Sequence, residues 1–299
     1  GYVKNTTPGI TLVVPAPFGP QTSTPTLGDD DTTAILFAVR YTNDALTVDY
    51  KFDFTDEITE AMPSQILGFD NTANGNFGVS IFAIQPSLGG TGTFGTSYRT
   101  AFPSLTSNDE FVVMGHALTV QYDLSDNLSI KSITAYRRDD EKGGFNFNEN
   151  NLLQAPPFLG GTPGELMCLI CSMPKRPQHQ TSEELQLIGH DDKFDWIAGF
   201  FYYDEVGFQD NTTFTLREFA PIGPNTYTTG PLTAADYVNG SLDLAKNQST
   251  AGYVHATVHV TDQLDISGGV RYSTDDRYAA YWIGPYATPG LHSSLDRKR

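Results

Sequence analysis

The stretch Leu46-Thr47-Val48-Asp49-Tyr50-Lys51-Phe52-Asp53-Phe54 alternates without a break between apolar and polar residues. Successive side chains of a strand point to opposite faces. Leu46, Val48, Tyr50, Phe52 and Phe54 therefore share one face, and Thr47, Asp49, Lys51 and Asp53 the other. A helix would scatter both sets around its axis. Residues 34–41 read as a second strand, and Asn43-Asp44 between the two supplies residues that tolerate a tight turn.

The same unit recurs three times. Residues 113–122 meet 128–138 across Ser125-Asp126-Asn127. Residues 182–189 meet 194–204 across Asp191-Asp192-Lys193, and residues 250–260 meet 264–274 across Thr261-Asp262-Gln263. Strands of roughly ten residues have the length that crosses a bilayer at a tilt, whereas globular strands more often have about five or six. The connections between hairpins, near 57–110, 139–181 and 206–248, are long and rich in Gly, Pro, Asn and Thr. Compact soluble domains rarely hold structureless loops beyond about 15 residues. Short turns alternating with long loops are the pattern of an outer-membrane barrel, with turns on the periplasmic side and loops outside.

Facing follows from the alternation. Val254, Ala256, Val258 and Val260 form one row, and Tyr253, His255, Thr257 and His259 the other. Across the turn, Ile266, Val270 and Tyr272 oppose Asp265, Ser267, Arg271 and Ser273. The apolar rows are assigned to lipid. Tyr253, His255, His259 and Arg271 are assigned to the lumen, because a charge on the lipid face near the midplane costs about 2–4 kcal/mol. A secreted β-sandwich binding module, with its apolar rows turned to a core, produces the same alternation, as does a passive porin-like channel.

Composition agrees with a wall that has one greasy face. Hydrophobic content is 39% while aromatics reach 12%, and low hydropathy with many aromatics is unusual for a soluble core. The formal net charge of −17 repels phosphate backbones, so nucleic acid is not an expected partner. No run of about 18 apolar residues marks a transmembrane helix, and no basic-then-apolar leader marks a signal peptide. A chain that starts at Gly1 without Met reads as processed or as a fragment.

Three stretches resemble a known family. Ser182-Glu183-Glu184-Leu185-Gln186-Leu187 followed by Phe194-Asp195-Trp196-Ile197-Ala198-Gly199-Phe200-Phe201-Tyr202 resembles the mid-barrel hairpin of TonB-dependent outer-membrane receptors. So does Leu128-Ser129-Ile130-Lys131-Ser132-Ile133-Thr134-Ala135-Tyr136-Arg137, and residues 253–274, with Gly268-Gly269-Val270-Arg271-Tyr272, resemble the adjoining hairpin. The resemblance implies a 22-stranded barrel around an N-terminal plug. It also implies import of a scarce ligand (ferric siderophore, haem, cobalamin or glycan) driven by the TonB complex acting on that plug. No plug sequence, TonB box or closing aromatic-ended strand is found, and the chain ends Asp296-Arg297-Lys298-Arg299. The expectation is therefore an all-β, antiparallel, up-and-down transmembrane barrel segment of about eight strands. Residues 1–299 form one partial barrel domain in contact with outer-membrane lipid, which does not transport by itself.

Other candidate sites carry less. His255 and His259 share a strand face roughly 13 Å apart at ~3.3 Å per residue, too far for one metal ion, so lumen-facing polar residues is the favoured reading. Cys168-Leu169-Ile170-Cys171 lies in a Pro/Gly-rich loop without a second pair, which favours a local disulfide over zinc or redox chemistry. Phe145, Phe147, Asn148 and Glu149 mix rings with oxygen ligands that would hold a sugar or calcium, although an ordinary extracellular loop explains them as well. The Asp29-Asp30-Asp31 run reads as a solvated turn. Glu183 and Glu184 point to opposite faces and cannot flank one bond. No phosphate loop or nucleophilic triad stands out, so neither an enzyme nor a cofactor is expected.

Overall fold

The computed structural model describes residues 3–15, 19–62, 101–102, 104–144, 146–147, 162, 164–231 and 241–283. These residues contain no helix. The first four strands are short: β1 (Val3–Asn5), β2 (Thr11–Val14), β3 (Gly19–Thr22) and β4 (Thr26–Leu27). Two strands of equal length follow, β5 (Asp30–Asn43) and β6 (Leu46–Thr59). Next come β7 (Ala101–Phe102), β8 (Asp109–Ser125), β9 (Leu128–Lys142) and β10 (Asn146–Phe147). The chain continues with β11 (Leu166–Asp191), β12 (Phe194–Gly223), β13 (Thr226–Thr228), β14 (Ser241–Thr261) and β15 (Leu264–Ile283).

Eight long strands form one meander in the order β5-β6-β8-β9-β11-β12-β14-β15, every pair antiparallel. The four hairpins expected from sequence are all present. Their two-residue turns are Asp44-Ala45, Asp126-Asn127, Asp192-Lys193 and Asp262-Gln263, so the first lies one residue beyond the expected position. Asn225 is the only non-glycine with a positive φ among the described residues. None of the four turns is therefore a mirror-image turn, and Asp, Ala, Lys and Gln serve where Gly would otherwise be needed.

The sheet is a single layer. Leu185, Phe200 and Val254 lie on interior strands of the meander, with neighbours on both sides, yet they are 45%, 51% and 49% exposed. The register puts them on one face with Phe37, Val39, Tyr50, Phe52, Leu118, Val258, Val270 and Tyr272. Among the described residues no second layer covers these rows, which removes the sandwich alternative. Such a belt is stable only where the solvent is hydrocarbon. Two polar groups on this face are locally satisfied, as burial toward lipid requires. The Tyr50 hydroxyl lies 2.8 Å from His116 Nδ1, and Glu183 accepts hydrogen bonds from Ser132 (2.7 Å) and Thr134.

The strands outrun their expected lengths. β11 has 26 residues and β12 has 30, although about ten suffice to cross the bilayer. Much of the two segments read as loop, 139–181 and 206–248, is strand. Past the belt no lipid lies against the sheet, so pairing persists without one greasy row along each strand and leaves little trace in sequence. Cys168 and Cys171 are affected directly, because they lie on β11 and not in a loop. Their sulfurs are joined, and their Cα atoms are 6.0 Å apart where an extended strand would separate them by about 10 Å. The backbone therefore bends between them. Both are buried with Leu12, Val14, Leu105, Leu166, Met173 and Phe219. Beyond the belt, the N-terminal strands and the far ends of β11 and β12 thus share a true hydrophobic core.

This outer unit is pinned by a buried amide. Asn5 Nδ2 donates to the carbonyls of Thr24 (2.6 Å) and Ser104 (2.9 Å), and its Oδ1 accepts from the backbone of Thr7 (2.9 Å) and Ser104 (2.9 Å). The strand β13 adds to β2 in parallel and to the end of β12, which ties the N-terminal segment to the longest strand.

Replacing Val254 by Arg is expected to cost about 2–4 kcal/mol of stability in bilayers, while Arg at lumen-facing Thr257 is tolerated. Urea titration of the folded receptor in lipid vesicles measures both. Intact-mass analysis of protein from outer membranes is expected to show Cys168 and Cys171 two hydrogens lighter than the dithiol, a difference removed by reductant.

Candidate functional site

The face opposite the belt is polar and carries Tyr253, His255, His259 and Arg271, the residues expected to face the lumen. Tyr253 stands directly opposite Arg271 on β15 and opposite Gly199 on β12. A Cβ at Gly199 would come within 2.3 Å of the Tyr253 ring, so glycine there lets the ring lie flat across β12. The ring reaches β11, where its hydroxyl donates to Glu184 and accepts from Gln186 Nε2 at 3.2 Å. The Arg271 guanidinium sits 5.3 Å from the Phe201 ring centroid and 5.8 Å from that of Tyr253, a cation–π arrangement on both. Its Nε donates to Ser273 Oγ at 3.1 Å.

Four strands thus contribute to one cluster: Glu184 and Gln186 from β11, Phe201 from β12, Tyr253 from β14 and Arg271 from β15. Lys131 continues the same cross-strand row on β9, opposite Gln186. Elsewhere on this face two arginines are held by carboxylates. Arg40 makes a two-point contact with Asp49 (2.6 and 3.0 Å), and Arg137 meets Asp53 at 2.6 Å. A framed cation, a fixed phenol and an aromatic face can receive an oxygen-rich anion or stack a flat ring.

The structure brings together only part of the expected set. Tyr253 and Arg271 belong to the cluster. His259 lies nearer the periplasmic turn, with Nδ1 2.8 Å from Asp265 and Nε2 3.1 Å from Asp195, which also contacts His190. His255 packs over Gly269, where no side chain intervenes. Phe147 falls on β10 and its backbone pairs with Cys171, whereas Phe145, Asn148 and Glu149 lie outside the described residues. Gln186, Phe201 and Lys131 were not singled out from sequence, and Glu184 was weighed only as half of a carboxylate pair. The signal was available, since turn positions fix the register and register fixes which residues share a row.

A one-sided apolar belt, a polar inner face and strands that continue far past the membrane define the wall of a transmembrane β-barrel. Residues 61–291 match the family model described as TonB dependent receptor-like, beta-barrel. The chain belongs to that family, whose members are outer-membrane receptors that transport and are not enzymes.

Among solved structures, the ferric yersiniabactin uptake receptor FyuA from Yersinia pestis aligns with a TM-score of 0.52 at 12% identity, over 92% of this chain and 33% of that one. The ferric-catecholate import receptor Fiu from E. coli K12 aligns with a TM-score of 0.45 at 12% identity, over 86% and 39%. The first of these supports the fold alone. The chain spans about a third of the length of FyuA. No curated protein matches the sequence.

Tyr253→Phe removes the hydroxyl that serves Glu184 and Gln186 and is expected to lower stability by about 1–3 kcal/mol. Gly199→Val is expected to displace the Tyr253 ring and loosen Arg271 as well. Urea midpoints of the folded receptor, with tyrosine fluorescence as a local readout, distinguish the two.

Proposed function

We propose that this chain forms part of the wall and outer loops of a receptor that captures a scarce extracellular ligand and imports it in a TonB-energised step. The ligand class is a ferric siderophore, haem, a vitamin or a glycan. Family membership supports the reading, and one observation carries it: the lumen side presents an ordered cluster of Arg271, Tyr253, Phe201 and Glu184 in place of a featureless polar lining. Phe145, Phe147, Asn148 and Glu149 are proposed as ligand-loop residues on their chemistry. Residues 1–299 act as one stretch of barrel domain, and the TonB complex acts through a plug that this stretch does not supply. The disulfide between Cys168 and Cys171 holds the bend in the outer part of β11.

The test is uptake by cells carrying or lacking the gene for the whole receptor, assayed with a panel of ferric chelates, haem, cobalamin and oligosaccharides. Loss of uptake of one class on deletion, and its arrest by an uncoupler, are the expected results. Uptake that continues after the proton-motive force is collapsed would instead make the protein a passive pore. A parent protein found outside the outer membrane would end the proposal.

A further inference from the structure

We infer that His259 is a proton-operated clasp at the periplasmic rim of the wall. Carrying both ring protons, it ties the β11–β12 hairpin to the β14–β15 hairpin, and it releases them as the pH rises. The inference rests on strand register and side-chain geometry, and it holds whichever ligand the receptor takes.

Both nitrogens of the His259 ring face a carboxylate. Nδ1 lies 2.8 Å from Asp265 on β15, and Nε2 lies 3.1 Å from Asp195 on β12. An ionised carboxylate only accepts hydrogen bonds. A neutral imidazole has one N–H to give, whereas the imidazolium has two. With a neutral ring, one nitrogen lone pair would meet a carboxylate lone pair. The alternative is a protonated aspartate, which would have to keep its proton far above the ordinary Asp pKa of about 3.9. Asp195 is also in contact with His190 on β11, and the Asp265 side chain is 59% exposed to water. Both settings favour the carboxylate.

The surrounding charge points the same way. His259 faces Asp195 on β12 and Asp265 on β15, and His190 of β11 lies across Asp195. The adjoining turns add Asp191, Asp192 and Lys193 on one side and Asp262 on the other. Acids outnumber cations here, which favours a charged ring. His255, on the same strand face, is roughly 13 Å away and takes no part.

The clasp sits where the backbone ladder becomes irregular. His259 and Asp265 are the last directly opposed pair before the register shifts between His259 and Thr261. On its other side, the His259 backbone N–H donates to the Lys193 carbonyl in the β11–β12 turn at 2.9 Å. Side-chain contacts therefore carry more of the cross-strand pairing at this end. The His259 side chain is 30% exposed, so its proton exchanges with the surrounding solution. The contact is complete from the pH at which the two aspartates ionise up to the pH at which the ring loses its extra proton. Above that it fails, and the rim slackens.

The test uses the whole folded receptor in lipid vesicles. Nitrogen NMR of histidine-labelled protein is recorded at about pH 6.5, where a free histidine is half protonated. His259 is expected to carry both ring protons there, and more fully than in Asp265→Asn. Hydrogen exchange of the β14–β15 turn, corrected for the intrinsic effect of pH, is then followed from about pH 5.5 to about pH 8.5. Protection is expected to fall by about threefold or more, the scale of two partly exposed ion pairs. His259→Gln is expected to abolish that fall and Asp265→Asn to reduce it, whereas His190→Gln retains it. Heat-modifiable migration is recorded for every variant, and Asp265→Asn decides the matter if His259→Gln does not fold. A His259 ring with a single N–H at about pH 6.5 would overturn the inference. So would protection that does not change with pH, or a fall that persists undiminished in folded His259→Gln or Asp265→Asn.

Discussion

In hydrocarbon no water is present to satisfy a peptide N–H or C=O, so every backbone group inside the bilayer must pair with another strand. Between its two edge strands, Asp30–Asn43 and Leu264–Ile283, the meander answers that constraint through continuous antiparallel ladders. Pairing fixes register, and register fixes the two faces. One face is then free to be greasy and the other to be charged. The exposure of Phe200, Val254 and Leu185 on interior strands is a direct consequence. The lumen cluster is the complementary one, because Tyr253, Gly199, Gln186 and Lys131 meet only through the ladders that join four neighbouring strands.

Two solvents divide the chain into two styles of folding. Within the belt, side chains are sorted by face and the strands form no interior core. Beyond it the same strands continue in water, where they gather a small buried core around Leu12, Phe219 and the Cys168–Cys171 pair. Asn5, whose side chain bonds Thr7, Thr24 and Ser104, closes this outer unit much as a buried polar residue does in a soluble domain. The disulfide closes a loop of only a few residues, so its influence on the chain as a whole is local.

What sequence disclosed follows the same division. Residues 46–54 and 250–274 could be placed on strands, paired and assigned to faces, because lipid on one side enforces alternation. The turns at Asp44, Asp126, Asp192 and Asp262 were found within one residue for the same reason. The distal halves of β11 and β12 were read as loop, since no lipid enforces alternation there and Pro174 and Pro177 suggested irregular chain. Within the cluster, Arg271 and Tyr253 were legible as polar residues on a lipid-spanning strand. Glu184 and Phe201 required cross-strand register, which a single strand's pattern does not contain.

Among the described residues, the hairpin of β11 and β12 extends well past the other strands of the meander. Its two arms are the strands that carry Glu184 and Phe201. The outer core around Phe219 and the inner cluster beside Arg271 are therefore carried by one antiparallel ladder, so the same backbone pairing fixes the position of each relative to the other.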